Sequence, residues 1–213
     1  MSVDHRSFVP AAGHDLFLPL YDPLVRWLGR EERVKGALIE QAEILPGQRV
    51  LDLGCGTGTL AVRLHETCPQ AEIHAADPDP KALAIARAKA ARRGAQVRFE
   101  QAFGDDLPYP DAHFDRVLSS FMFHHLADDE KRSTLREVRR VLAPGGSFHL
   151  LDFGPAVEGE RGWLVRLLHH AGHLHDNLSG RIPQRMREAG FPDASQIRSD
   201  RIFFGSVAYY RAS

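Results

Sequence analysis

Val50-Leu51-Asp52-Leu53-Gly54-Cys55-Gly56-Thr57-Gly58-Thr59-Leu60-Ala61 runs an apolar strand into a glycine-rich turn and then into the start of a helix. Glycines at alternate positions let the backbone turn sharply and approach a flat ligand with no Cβ in the way. Such loops sit at the carboxyl end of a first parallel strand. A dinucleotide loop reads G-x-G-x-x-G, with its third glycine three residues after the second and a pyrophosphate on the helix N-terminus. Here that third position is Thr59, and the last glycine falls early, at Gly58. Asp52, two residues before the first glycine, would face the mouth of the loop and repel a pyrophosphate; a carboxylate there suits a cation. Three readings stand at this point: a loop for a cationic ligand, a dinucleotide loop, and a merely tight strand-to-helix turn.

Downstream, Ile73-His74-Ala75-Ala76-Asp77 reads as a short strand broken by Asp77-Pro78-Asp79-Pro80, where Asp79 can cap a helix with Pro80 in its first turn. Asp77 at a strand's carboxyl end can accept both hydroxyls of a ribose, a role that fits a nucleoside ligand without choosing among cofactors, or it is a turn carboxylate. Alternation places strands near 48–53, 72–77, 96–101, 115–120 and 147–153, with two more between 195 and 210. Helices fill the gaps: Ala82, Ile85, Ala86 and Ala90 give one apolar stripe, and Leu135, Val138, Val141 and Leu142 give another that stops at Pro144-Gly145-Gly146. Strands alternating with helices make an α/β fold with a parallel sheet covered on both faces. The β-branched and aromatic residues from Ile197 to Tyr210, with Gly205 inside, read as an antiparallel pair with a bend.

The glycine loop resembles motif I of the class I S-adenosylmethionine (SAM) methyltransferases. Phe114-Asp115-Arg116-Val117-Leu118-Ser119-Ser120, His124-His125-Leu126 and Arg140-Val141-Leu142-Ala143-Pro144-Gly145-Gly146, followed by a strand, look like motifs IV to VI in order. The region 46–154 is similar to the group that includes the ubiquinone and menaquinone biosynthesis enzymes. The resemblance implies a Rossmann-like, three-layer αβα fold whose seven-stranded sheet is mostly parallel with an antiparallel terminal hairpin. It also implies one domain over 1–213: a helical cap over the cleft (1–45), the SAM-binding core (46–154), an acceptor-side helical segment (155–190) and terminal strands (191–213). SAM is the implied cofactor and S-adenosylhomocysteine its product, with Asp52 near the amino acid end and the cofactor lined by Tyr21, Gly54, Cys55, Gly56, Gly58, Asp77, Pro78, Phe103, Gly104, Ser119 and Phe121. One departure stands out. Family members carry an acidic residue just after the third strand, where this chain has Phe103, in Ala102-Phe103-Gly104-Asp105-Asp106. Either Asp105 or Asp106 takes over the adenine contact, or the backbone at Phe103 and Gly104 makes it under the aromatic ring.

Methyl transfer from a sulfonium releases a neutral leaving group and rests mainly on positioning, so no metal is expected. A phenol, catechol or activated carbon acceptor would gain from a neutral imidazole as base. His124 and His125 follow the fourth strand at the ligand edge of the sheet, and neighbours on a helix diverge by roughly 100°, so at most one of the two should face the cleft. The alternative is a capping residue and a pocket-lining one. Asp152, ending Leu150-Leu151-Asp152, could orient the acceptor or a histidine, or cap a helix. His169, His170, His173 and His175 form a cluster that reads as acceptor-pocket lining, as a polar helix face or, less well, as a metal pair at i, i+4 lacking a third ligand. The apolar stretch Phe17–Leu28 is expected to form the other wall of the cleft, with Tyr21-Asp22 closing over SAM or serving as a hydrophobic staple.

The formal net charge of -1 lacks the basic stripe that a phosphate backbone demands, which argues against nucleic acid as a partner. With two cysteines, Cys55 and Cys68, neither a disulfide framework nor a cysteine metal site is encoded. No leader or membrane-length apolar run is apparent, so a cytoplasmic monomer or homodimer without stable membrane insertion is expected, acting on a small-molecule methyl acceptor at oxygen, carbon or nitrogen. Two other classes stand beside it. A non-catalytic SAM-binding module would show histidines turned from the methyl, and a nucleotide oxidoreductase is disfavoured by Asp52 and Thr59.

Overall fold

The computed structural model describes residues 31–155, 175–202 and 205–213. Tyr21, Asp22 and the rest of the expected N-terminal wall, with His169, His170 and His173, lie outside them.

The chain order is α1 (Glu31–Ala42), β1 (Arg49–Leu53), α2 (Thr59–Thr67), β2 (Glu72–Asp77), α3 (Pro80–Arg93), β3 (Val97–Gln101), β4 (Phe114–Ser120), a 3-10 turn (Phe123–His125), α4 (Asp128–Val141), β5 (Leu142–Phe153), α5 (His175–Leu178), α6 (Ile182–Glu188), β6 (Ser195–Ile202) and β7 (Gly205–Ala212). The strands form one seven-stranded sheet in the order β3-β2-β1-β4-β5-β7-β6. Pairings from β3 through β5 are parallel, while β7 runs antiparallel to both β5 and β6. The strand order reverses between β1 and β4, and ligands of open α/β sheets bind outside the carboxyl ends of the strands at that switch point.

Successive residues of a strand face opposite sides of the sheet. The apolar pairs Val50-Leu51, Leu150-Leu151 and Tyr209-Tyr210 accordingly divide between two cores. Val50, Leu151 and Tyr209 pack with Val34 and Leu38 of α1, Leu60 and Leu64 of α2, and Leu83 and Ala86 of α3. Leu51, Leu150 and Tyr210 pack with Leu135, Val138 and Val141 of α4 and with Ile182 and Met186 of α6. Layers on both faces of a mixed, mostly parallel sheet make the three-layer α/β/α fold.

Local chemistry sets the helix ends. Asp79 accepts the Lys81 N–H at 2.8 Å as N-cap of α3, Pro80 opens that helix, and Gly94 closes it in the left-handed region. Glu130 accepts the Ala127 N–H at 2.7 Å where α4 starts, and Asp128 and Asp129 complement the helix dipole there.

Three details differ from the sequence-based expectation. Leu83, not Ile85, fills the buried stripe of α3. The helix expected to run up to Pro144-Gly145-Gly146 ends at Val141, and the strand expected from 147 starts at Leu142 opposite Phe114, then shifts register so that Ser147 faces Arg116, and the excess residues bulge out. The described part of the expected cap, α1, is a core helix, since Val34, Leu38, Ile39 and Ala42 are buried.

Candidate functional site

The loop between β1 and α2 has Gly54, Gly56 and Gly58 at φ +70°, +51° and +77°. Two of these glycines are also demanded by space. A Cβ on Gly54 would lie 2.3 Å from Cγ of Met122, and one on Gly58 would lie 2.7 Å from Cβ of Ala86 in α3. The Gly54 and Cys55 N–H groups donate to the Ala76 carbonyl at 2.8 and 3.1 Å, which ties the loop to the end of β2. Asp77 completes the tie: its carboxylate accepts the Gly56 N–H at 2.7 Å and the Asp79 N–H at 2.9 Å. Two of the roughly four acceptor positions of that carboxylate are left for a ligand. Burial raises the Asp77 carboxyl above its usual range. A lysine that sequence patterns did not single out also holds the loop, since Lys89 of α3 donates to the Thr57 and Thr59 hydroxyls at 3.2 and 2.8 Å.

Asp52, one residue before the end of β1, is completely buried, and neither carboxylate oxygen has a well-formed hydrogen bond among the described residues, the Ala61 N–H of α2 favouring its charged form only weakly. Its carboxyl is pushed up to about 7, chiefly by burial and further by the charge of Asp77, with Lys35 pulling the other way. Lys35 is itself engaged by Glu31 at 2.5 Å. A buried carboxylate with unmet acceptors beside a glycine cradle fits a ligand that brings N–H donors and positive charge, as the amino acid end of SAM does. Cys55 is buried next to it, and desolvation lifts its thiol well above the usual value, so it behaves as a small apolar residue.

On the β2–β3 side, the Ala102 N–H donates to the Asp77 carbonyl at 3.2 Å, and the Pro78 carbonyl accepts from Gln101 Nε2 at 3.2 Å. These bonds tie Gln101 and Ala102, which lead into Phe103, to Pro78 and Asp77. Phe103 bridges to Asp106 in a tight turn; Phe103, Gly104 and Asp105 are half-buried and Asp106 is exposed. Gly104 packs on Thr134 of α4, where a Cβ would come within 3.0 Å of the hydroxyl oxygen.

Across the switch point, the fully buried Ser119 donates to the Leu53 carbonyl at 2.8 Å, so its hydroxyl clips β4 to β1. Phe121 follows at φ +55°, a costly conformation for a bulky residue, and its N–H donates to the Leu151 carbonyl at 2.9 Å. That turn of the backbone swings Met122 over Gly54 and leads into the 3-10 turn bearing His124.

There the pair that sequence could only suggest is in contact. His124 Nδ1 lies 2.7 Å from Asp152 Oδ1. Asp152 is fully buried and also accepts the His124 N–H at 3.0 Å and the Phe153 N–H at 2.7 Å. Because the carboxylate only accepts, the imidazole proton belongs on Nδ1, which leaves the Nε2 lone pair open. The rings of His124 and His125 lie closer than the divergence of neighbours on a helix suggests, with centroids 4.0 Å apart at 40°. Phe153 packs edge-on against His124 with centroids 4.9 Å apart, and lies 5.6 Å from the Phe121 ring. His175 contributes its backbone to the start of α5. Among the described residues no group of three or more His, Cys, Asp or Glu is arranged to hold a metal ion, and no helix is long and apolar enough to cross a membrane.

Comparison with known proteins agrees with this architecture. Residues 50–146 match the model of a methyltransferase domain. Demethylmenaquinone methyltransferase of Thermus thermophilus is 44% identical over 151 residues, spanning 70% of this chain and 68% of that one. The ubiquinone/menaquinone biosynthesis C-methyltransferase UbiE of Vibrio parahaemolyticus is 37% identical over 156 residues, 72% of this chain and 56% of its own length. A SAM-dependent methyltransferase structure from Aquifex aeolicus shares the fold with a TM-score of 0.65 at 18% identity, covering 84% of this chain and 89% of that one. The switch-point glycine loop, the strand order and these relatives together make this chain a member of the SAM-dependent methyltransferases.

Proposed function

We propose that this methyltransferase modifies a hydroxylated aromatic ring, with His124 as the base that receives the hydroxyl proton and Asp152 as the residue that orients it. The observation that carries this reading is the 2.7 Å contact between His124 Nδ1 and the buried Asp152 carboxylate. Bound SAM supplies an electrophilic methyl on a positively charged sulfur. On this reading Asp52 faces its ammonium, Gly54, Cys55, Gly56 and Gly58 lie along it, Asp77 with Pro78 takes the ribose end, and Phe103 with Gly104 takes the adenine end. Ser119 acts through its hydroxyl and Phe121 through its backbone, fixing the approach of β4 to β1 and the turn that carries His124.

The ring acceptor is supported by the names of the relatives, which act on demethylmenaquinone or in ubiquinone and menaquinone biosynthesis. It is supported too by the aromatic surroundings of His124. A quinone ring is electrophilic, so methylation at a ring carbon calls for the reduced, hydroxylated form. Removal of one hydroxyl proton by His124 Nε2 makes the ring electron-rich, and the ring carbon takes the methyl as the methyl's bond to sulfur breaks. That carbon then sheds its own proton and the ring oxygen takes one back from the imidazolium, so that one proton is released per turnover as the sulfonium becomes a neutral thioether. Phe121 and Phe153 offer flat apolar faces to such a ring. The formal charge of -1 supports a small-molecule partner, and we place the enzyme in the cytoplasm as a monomer or homodimer.

The test is turnover of 1,4-dihydroxynaphthalene by His124→Ala and Asp152→Asn. Loss of kcat by about 100-fold or more, with SAM affinity held within twofold, is expected for a general base and its orienting partner. Unchanged turnover in His124→Ala removes the base from the reading.

A further inference from the structure

Asn177 is fully buried, donates from Nδ2 to the Phe153 carbonyl at 3.2 Å, and has no partner for Oδ1 among the described residues. Since a carbonyl only accepts, that bond assigns the nitrogen and the oxygen of the amide. The amide is thereby anchored at one end and left with a bare acceptor at the other. A buried carbonyl-type oxygen without a donor costs on the order of a hydrogen bond, and native proteins leave few of them. The anchor residue, Phe153, is the one whose ring packs on His124 and whose N–H bonds the same Asp152 oxygen that holds the histidine. Asn177 is thus tied from α5 to the backbone of the residue that packs on His124, a position that no sequence pattern marked.

We infer that Asn177 Oδ1 is a specificity-determining subsite that accepts a hydrogen bond from a second hydroxyl of the methyl acceptor. This rests on the reading of His124 as the base toward the first hydroxyl. The chemistry follows from the atom left free: an amide oxygen accepts from O–H and has nothing to offer a ketone. The subsite therefore selects a ring diol over the corresponding dione and over a ring with a single hydroxyl. A site built to bond a hydroxyl rejects an analogue that lacks it, because the buried partner is then left unsatisfied. Asp152 is taken up by His124 and Phe153, and His124 Nε2 serves the first hydroxyl, so Asn177 supplies the discrimination of the second.

Steady-state methylation of 1,4-dihydroxynaphthalene and 1-naphthol by the full chain tests this, alongside calorimetric titration with SAM. The wild type is expected to favour the diol in kcat/KM by about tenfold or more, and Asn177→Leu to lower that ratio by about tenfold, mainly through KM, with SAM affinity unchanged. Should the leucine variant fail to bind SAM, and so to fold, Asn177→Ser is read in the same way: its hydroxyl sits further back, and the ratio should fall by about threefold or more. An equal loss on both acceptors, or no loss on either, overturns the subsite while leaving the ring-acceptor reading intact. Failure of the wild type to methylate either compound overturns the ring-acceptor reading and the subsite together.

Discussion

Asp52 has the most to lose from its surroundings, a carboxylate in full burial with no well-formed hydrogen bond to either oxygen and its carboxyl pushed up to about 7. Contact with the SAM ammonium requires the ionised form. Binding below pH 7 must therefore first strip a proton from Asp52, and SAM affinity should fall by up to tenfold per pH unit as the pH drops from 7 towards 5. Asp52→Asn should bind at least about tenfold more weakly at pH 8 and lose that slope; calorimetry at several pH values measures both. Gly54→Ala meets a different barrier, since at φ +70° its Cβ would lie 2.3 Å from Met122 Cγ. Met122 would have to leave its seat, and with it the turn leading to His124, so that variant should lose turnover while remaining folded by circular dichroism. At this scale Asp52 and the glycines were legible because each departs from what an ordinary strand-helix turn needs. Lys89 and Asn177 were not, for a lysine in a surface-type helix and an asparagine beside a short one carry no pattern. Only the folded chain brings them to Thr57 and to Phe153.

Elements were legible where one period dominated. Strands β1 to β5 and β7 follow from alternation or apolar runs because they bury residues against the helices, whereas β6, with no buried residue, was legible only from the β-branched and aromatic run between Ile197 and Tyr210. Asp79-Pro80 marked the start of α3 through the physics of its cap. The start of β5 was misjudged because Pro144-Gly145-Gly146 is a stop signal in isolation, whereas here the bulge absorbs it and Leu142 pairs with Phe114 first. In α3 the stripe was misplaced by part of a turn, since Ala82, Ala86 and Ala90 fit either face and only Leu83 fixes which is buried. The contact between α2 and α3 passes through Gly58, whose φ is +77° and whose Cβ would stand 2.7 Å from Ala86 Cβ. Gly58→Ala should cost about 2–3 kcal/mol from strain and overpacking, more than the roughly 1 kcal/mol expected for Asp79→Ala at the cap; urea unfolding compares them.

For the whole molecule, two buried groups work against each other with pH. His149 is neutral in the core, accepting or donating with Gln41 and Ser147 at 3.1 and 2.8 Å, and burial drives its value down to about 3. Between about 3 and its ordinary 6.5 the unfolded chain binds a proton that the folded chain refuses, so this group makes stability rise with pH. Asp52 does the reverse. Between its ordinary 3.8 and about 7 the folded chain holds a proton that the unfolded chain has lost, so stability falls as pH rises. From about pH 4 to 6.5 the two slopes oppose each other in the ligand-free protein. Asp52→Asn removes one of them, and its unfolding free energy should climb with pH more steeply than the wild type's by about 1.4 kcal/mol per unit over that range, as denaturant melts at pH 4.5, 5.5 and 6.5 would read. Equal slopes would mean that Asp52 is ionised in the ligand-free fold. The catalytic claim has its own direct test in transfer of a deuterated methyl group from SAM to 1,4-dihydroxynaphthalene, followed by mass spectrometry for the wild type and His124→Ala at matched SAM occupancy. The account predicts a ring-carbon product from the wild type and a rate lower by about 100-fold or more in the variant; equal rates, or no transfer by the wild type, would contradict it.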